Sequence, residues 1–177
     1  MPLLPSSGRD STPKVFFPRR NEEIYETSDI PQTPGRHGDG AAMSIVKIRA
    51  ALETALTATD PSFATARENA AFTPVAGTPY QRLSLQLAAP DNAITSSSTY
   101  RDQGIFEVSL MYPLQSGVAA AEARIDIIRN AFKRGASFVE SDHIITIDKT
   151  PEVAPGIVDV DRWMIPVKIR FYSNLMT

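Results

Sequence analysis

Cysteine is absent from this 177-residue chain. Disulfides and thiolate metal sites are therefore excluded, and composition carries no trace of a redox compartment. Histidine is scarce, with only His37 and His143. A metal centre needs several convergent ligands, and His143 with Glu140 and Asp142 is the one nearby grouping. A solvated turn is the expected setting for those three residues. No apolar run approaches the roughly 20 residues that span a bilayer. The opening "MPLLPSSGRDSTP" lacks the charged start and apolar stretch of a secretory signal. The expectation is a soluble intracellular protein, or one that later joins a larger particle. No charge excess exists either: eighteen basic residues face twenty acidic ones, for a net charge of −2. A dedicated nucleic-acid binder would carry a basic surplus.

Catalytic patterns are equally thin. No serine sits in a strand-to-helix nucleophile elbow, and a helix cap accounts for Ser116. "GRHGDG" at 35–40 neither follows a strand nor opens a clear helix, so it does not read as a phosphate loop. The chain reads as a non-enzyme with no cofactor and no metal.

What is present falls into two regions. Residues 1–42 hold six of the fourteen prolines (Pro2, Pro5, Pro13, Pro18, Pro31, Pro34) and Gly8, Gly35, Gly38 and Gly40. Proline removes backbone donors and glycine raises the entropy lost on ordering, so this segment cannot bury enough apolar surface to fold alone. It is expected to be an extended or flexible arm. One sticky patch, "KVFFPRRNEEIYET", carries Phe16, Phe17, Ile24 and Tyr25. Its length gives it a reach of up to roughly 140 Å at 3.3 Å per residue, enough to touch other subunits. The alternative is a leader upstream of a domain that begins at Met43.

Residues 43–177 make one domain of ordinary size. Ser44 is expected to cap a helix with Ile45, Ile48, Leu52 and Leu56 on one face, ending near Thr57–Thr59. Residues 61–79 read as loop, with a helical turn near Ala64–Glu68. "RLSLQL" alternates as a half-buried strand, Leu83, Leu85 and Leu87 against Arg82, Ser84 and Gln86. "RDQGIFEVSLMYP" is a second strand, with Phe106, Val108, Leu110 and Tyr112 sharing a face. Ser116 then caps a helix with Val118, Ala121, Ile125, Ile128 and Phe132 at helical spacing; Lys133, Arg134 and Gly135 suit its C-terminus. "SFVE" and "HIITID" form a hairpin around Ser141-Asp142. The chain closes in "DRWMIPVKIRFYS", with Trp163, Ile165, Val167, Ile169 and Phe171 on one side and Lys168 and Arg170 on the other. Pro166 lacks a ladder donor and predicts an edge or a bulge there. The order predicts an α+β fold: a mostly antiparallel β-sheet with two main α-helices packed on one face.

Four stretches, "FTPVAGTPYQRLSLQLAAP", "GIFEVSLMYPLQSG", the helix ending "AFKRG" and "DRWMIPVKIRFY", together resemble the phage tail-terminator-like family, small proteins encoded among the tail genes of long-tailed phages and prophages. The resemblance covers about Met43 to Tyr172. It is carried by Thr73, Pro74, Gly77, Thr78, Pro79, Tyr80, Gly104, Phe106, Tyr112, Pro113, Gly117, Phe132, Trp163, Pro166 and Val167 in that order. It implies a virion protein that resides in host cytoplasm before assembly. It also implies a homo-oligomeric ring, typically a hexamer, that caps the finished tail tube, stops its polymerisation and meets the head–neck connector. Partners would then be the tail tube protein and the connector, with no membrane. DNA would pass through the lumen without specific binding, which a near-neutral chain suits. The lumen wall is expected not to be enriched in cations such as Arg82, Lys168 and Arg170. Subunit or partner contacts are expected at Phe16, Phe17, Ile24 and Tyr25, and at the loop residues Thr73, Pro74, Gly77, Thr78, Pro79 and Tyr80. The first 42 residues depart from the family pattern. Another neck component is the alternative; a small ligand-binding protein or enzyme would need converging polar groups in a pocket.

Overall fold

The computed structural model describes residues 39–91, 100–141 and 143–175. In chain order these form α1 (Asp39–Thr59), β1 (Thr65–Ala66), β2 (Tyr80–Leu87), β3 (Arg101–Pro113), α2 (Ala119–Ala131), β4 (Ser137–Glu140), β5 (His143–Ile147), β6 (Glu152–Val153), β7 (Ile157–Asp159) and β8 (Arg162–Leu175). Phe16, Phe17, Ile24, Tyr25 and His37 lie outside the described residues, as does Asp142.

One sheet runs β1-β2-β3-β8-β5-β4, with β6 and β7 lying on β8 beside β5. Every pairing is antiparallel except β1 with β2. The β3–β8 register aligns Phe106 with Ile169, Val108 with Val167 and Leu110 with Ile165. On β2, Leu83 lies opposite Val108 and Leu85 opposite Phe106. The period-2 alternation thus puts one apolar row from three strands on a single face. The apolar stripes of α1 (Ile48, Leu52, Leu56) and α2 (Ala121, Ile125, Ile128) and Phe132 pack in the same core. Phe132 is its pivot, with ring centroids 6.3 Å from Phe106 and 5.2 Å from Phe138.

Several local expectations are corrected. α1 begins at Asp39, so Ser44 stands inside it and the helix crosses the expected 42/43 boundary. Ala41, Ala42 and Met43 are good helix formers, and their propensity outruns the local cap signal. Ser116 does not cap α2: Val118 holds that place without a side-chain bond, while the Ser116 hydroxyl donates to the Pro113 carbonyl at 2.7 Å. Val118 is exposed and lies outside the apolar stripe. Gly135, at φ +83°, forms a turn after the helix, and its N–H reaches the Ile147 carbonyl. Thr65–Ala66 is a strand, where a helical turn was expected.

Pro166 lies in β8, a central strand, opposite Ser109 on β3. Its carbonyl accepts from the Ala154 N–H at 2.9 Å, on the side where the chain leaves the ladder between β6 and β7. The missing donor therefore faces an interruption in the neighbouring strand, which is the local equivalent of an edge.

Phe132→Ala should cost about 3–5 kcal/mol of stability, because the site is fully buried between α2 and the sheet. Urea denaturation would show this as a lower midpoint with an unchanged slope.

Candidate assembly surface

The face of the sheet away from the helices begins, at its β2 end, with a second small core. Tyr80, Met111 and Ala66 are buried there with Phe72 and Met164 against them. The Phe72 and Tyr80 ring centroids are 5.0 Å apart. Residues 67–79 form the connection between the parallel strands β1 and β2. Parallel neighbours cannot be joined by a tight turn, so the chain must run back along the sheet. The loop "FTPVAGTPY" is that return.

Arg162 fixes it. This first residue of β8 is only 4% exposed, and its side chain shares the helix-free face with Tyr80. Its Nη1 donates to the Thr78 carbonyl at 2.8 Å and its Nη2 to the Val75 carbonyl at 3.0 Å. The guanidinium stands 5.5 Å from the Tyr80 ring centroid, and Nε is 3.5 Å from Asp161. Gly77 takes φ +72° at the turn between the two carbonyls, a conformation glycine adopts without steric cost. With its carbonyls held, the loop presents Thr73, Pro74, Val75, Gly77 and Thr78 to solvent, while Pro79 is half-buried. Tyr80 is buried at 6% in its own chain, so its ring serves the small core. Beside the loop, the β7–β8 turn holds Val160 at φ +55° and 92% exposed. A β-branched residue at positive φ is a conformational outlier.

Further along the same face stand Arg82 on β2 and Lys168 and Arg170 on β8, each with an acidic neighbour. Arg82 lies 3.8 Å from Asp159, Arg170 lies 3.7 Å from Glu152, and Lys168 is in register with Glu107. The outer edge of β2 is partly closed. Glu68 accepts from the Leu85 N–H at 3.0 Å and from Arg49 of α1 at 2.6 Å. An unpaired strand edge invites pairing with another chain, and a charged side chain blunts it. Burial raises the Glu68 carboxyl, but these bonds and the Arg49 charge outweigh it and hold the group below its ordinary value.

Polar residues are buried on the helix side too, Arg124 and His143 among them. Arg124 of α2, 3% exposed, donates to Gln81 Oε1 at 3.1 Å and lies 4.7 Å from the Phe63 ring centroid. Burial lowers its affinity for a proton, with the charges of Asp60 and Tyr112 opposing. His143 is 2% exposed, which overturns the expected solvated setting: β5 places it on the core face of the sheet. No cluster of three metal-ligating side chains occurs among the described residues, and no described helix is long and apolar enough to cross a membrane. Sequence reading missed Arg162 and Arg124. The available signal was slight: Arg162 falls in step with Met164 and Pro166, and Arg124 lies one position before Ile125 in an amphipathic helix.

Arg162→Met keeps the stem but removes two charge-assisted bonds, and should cost about 3 kcal/mol. Hydrogen exchange should speed up at residues 75–79 while β3–β8 amides stay protected; equal protection at both places would contradict the role given to Arg162. Because the folded Glu68 carboxyl is depressed, its contribution is complete above about pH 5 and lost as pH falls through the folded-state value. Stability curves of the native chain and Glu68→Gln should therefore differ at neutral pH and converge in acid.

A family model described as phage tail terminator protein matches residues 47–171, from the first half of α1 to near the end of β8. No curated protein matches the chain. One solved structure superposes with a TM-score of 0.62 at 21% identity, covering 76% of this chain and 98% of its own. A chain from the virion of a native gene transfer agent particle gives a TM-score of 0.50 at 18% identity, covering 74% and 96%. At such identities the likeness is one of fold. The match of the family model spans the sheet and both helices, and this chain belongs to the phage tail terminator protein family.

Proposed function

We propose that the protein is a structural component of a phage-type tail, the terminator that assembles as a ring, a hexamer, on the end of the completed tail tube. There it arrests tube polymerisation and offers a surface to the head–neck connector. The observation that carries this reading is the family match over residues 47–171. The fold shared with a chain of a gene transfer agent virion agrees with it.

Ring formation requires head-to-tail contacts, each burying on the order of 800 Å² per partner. Two elements are assigned to them: the loop 73–80, rigidified by Arg162, and the leader residues Phe16, Phe17, Ile24 and Tyr25. A preorganised loop loses little entropy on docking. The charged sheet face suits the lumen, because Arg82 and Arg170 already have acidic partners and Lys168 lies opposite Glu107. Cations that are locally compensated attract phosphates weakly, so DNA can slide past.

Purified protein mixed with polymerising tail tubes should cap tube ends and stop growth, with rings visible by electron microscopy. Uncapped growth together with binding to a connector would instead indicate another neck component. A chain beginning at Asp39 should keep its circular dichroism but lose ring mass; an unaltered ring that still attaches to tails would remove the leader from the interface.

A further inference from the structure

Between the loop and the outer part of β2 lies a groove of about 460 Å³, walled by Ala66, Ala70, Phe72, Pro74 and Tyr80, with Glu68 at its lip. Arg67, Asn69, Arg82 and Ser84 share the lining, so the groove is mixed in polarity; its one aromatic wall, the Phe72–Tyr80 pair, suits further aromatic side chains, since offset or tilted ring pairs add to simple burial. The groove is also stiff. Arg162 holds the loop carbonyls, and Glu68 is tied to both Arg49 and the β2 edge.

We propose that this groove receives the Phe16–Phe17 pair of a neighbouring copy's leader. The inference rests on the ring reading above and names the receptor for the leader. The argument is one of chain length and position. The leading segment outside the described residues ends at Gly38, and α1 begins at Asp39. From Phe17 to Asp39 the chain can span up to about 73 Å at 3.3 Å per residue. Touching domains of this size, with a radius of gyration of about 14 Å, have centres roughly 35 Å apart. About 15 Å along α1 from Asp39, at 1.5 Å per residue, Arg49 grips Glu68 on the groove's own lip. A leader leaving one subunit therefore has ample length to reach the matching groove of the next. Repeated around a closed ring, each subunit gives one aromatic pair and receives one, the pattern of a heterologous interface.

The absence of cysteine makes the test direct. Val15→Cys and Ala70→Cys, both leaving the aromatic pair intact, are prepared as separate full-length chains, one of them enlarged by a size tag. They are assembled together and oxidised. A mixed covalent dimer is expected, absent when Phe16→Ser and Phe17→Ser are added to the Val15→Cys chain. Those two substitutions alone should weaken assembly at least tenfold, as the loss of two buried rings implies. Rings that form without the mixed dimer would overturn this inference and leave the functional reading standing. So would a double-cysteine chain that closes only within itself. Absence of any ring by mass would overturn both.

Discussion

The long antiparallel pairing of β3 with β8 is the constraint from which the rest follows. Its register runs from Arg101 opposite Asn174 to Pro113 opposite Arg162. Because successive side chains alternate between faces, this one alignment sends Phe106, Val108, Leu110, Ile165, Val167 and Ile169 to the helices and Glu107, Lys168 and Arg170 to the other side. A slip of a single residue would exchange the two faces. Close packing reinforces the register. A side chain at Gly104 would collide with the Gln86 carbonyl and the Phe171 ring, and one at Gly156 would enter the Trp163 indole.

Buried cations divide the labour of holding irregular parts in place. Arg162 satisfies two loop carbonyls that turn inward instead of facing water. Removing a charged group from water is costly unless its donors are used, and this geometry uses them on the segment that has no regular hydrogen-bonding ladder of its own. Arg124 is held differently, between Gln81 and the Phe63 ring, and Gln81 in turn donates to Thr65 Oγ1 at 2.9 Å. That chain of contacts joins α2, β2 and β1. The glutamine at the start of β2 thus links a helix to the only parallel pair among the described strands.

The groups that are most constrained, a loop pinned by its carbonyls and an exposed valine at positive φ, face outward. Strain that persists in a fold reflects surroundings that over-determine it, and here it sits on a turn beside the loop. An outward segment that is already ordered would lose little entropy on docking.

Alternation and helical spacing were enough to place β2, β3, β8, α2 and the β4–β5 hairpin, and to name the core face of β3, of β8 and, Val118 apart, of α2. Those signals are local: they depend on which side chains must leave water together, and period alone encodes that. The resemblance of the motif order to tail terminators was legible in residues of the loop before β2, of the two longest strands and of the end of α2. Caps and boundaries were not, because Ser44 and Ser116 have the right chemistry at the wrong turn of the chain, and neighbouring propensity decided the outcome. Nor could sequence show that the loop 67–79 is a parallel crossover, that Tyr80 turns inward, that His143 is buried, or that Arg162 reaches the Val75 carbonyl eighty-seven residues away. Those facts follow from which strands become neighbours, and neighbourhood is set by burial summed over the whole sheet, which no short stretch contains.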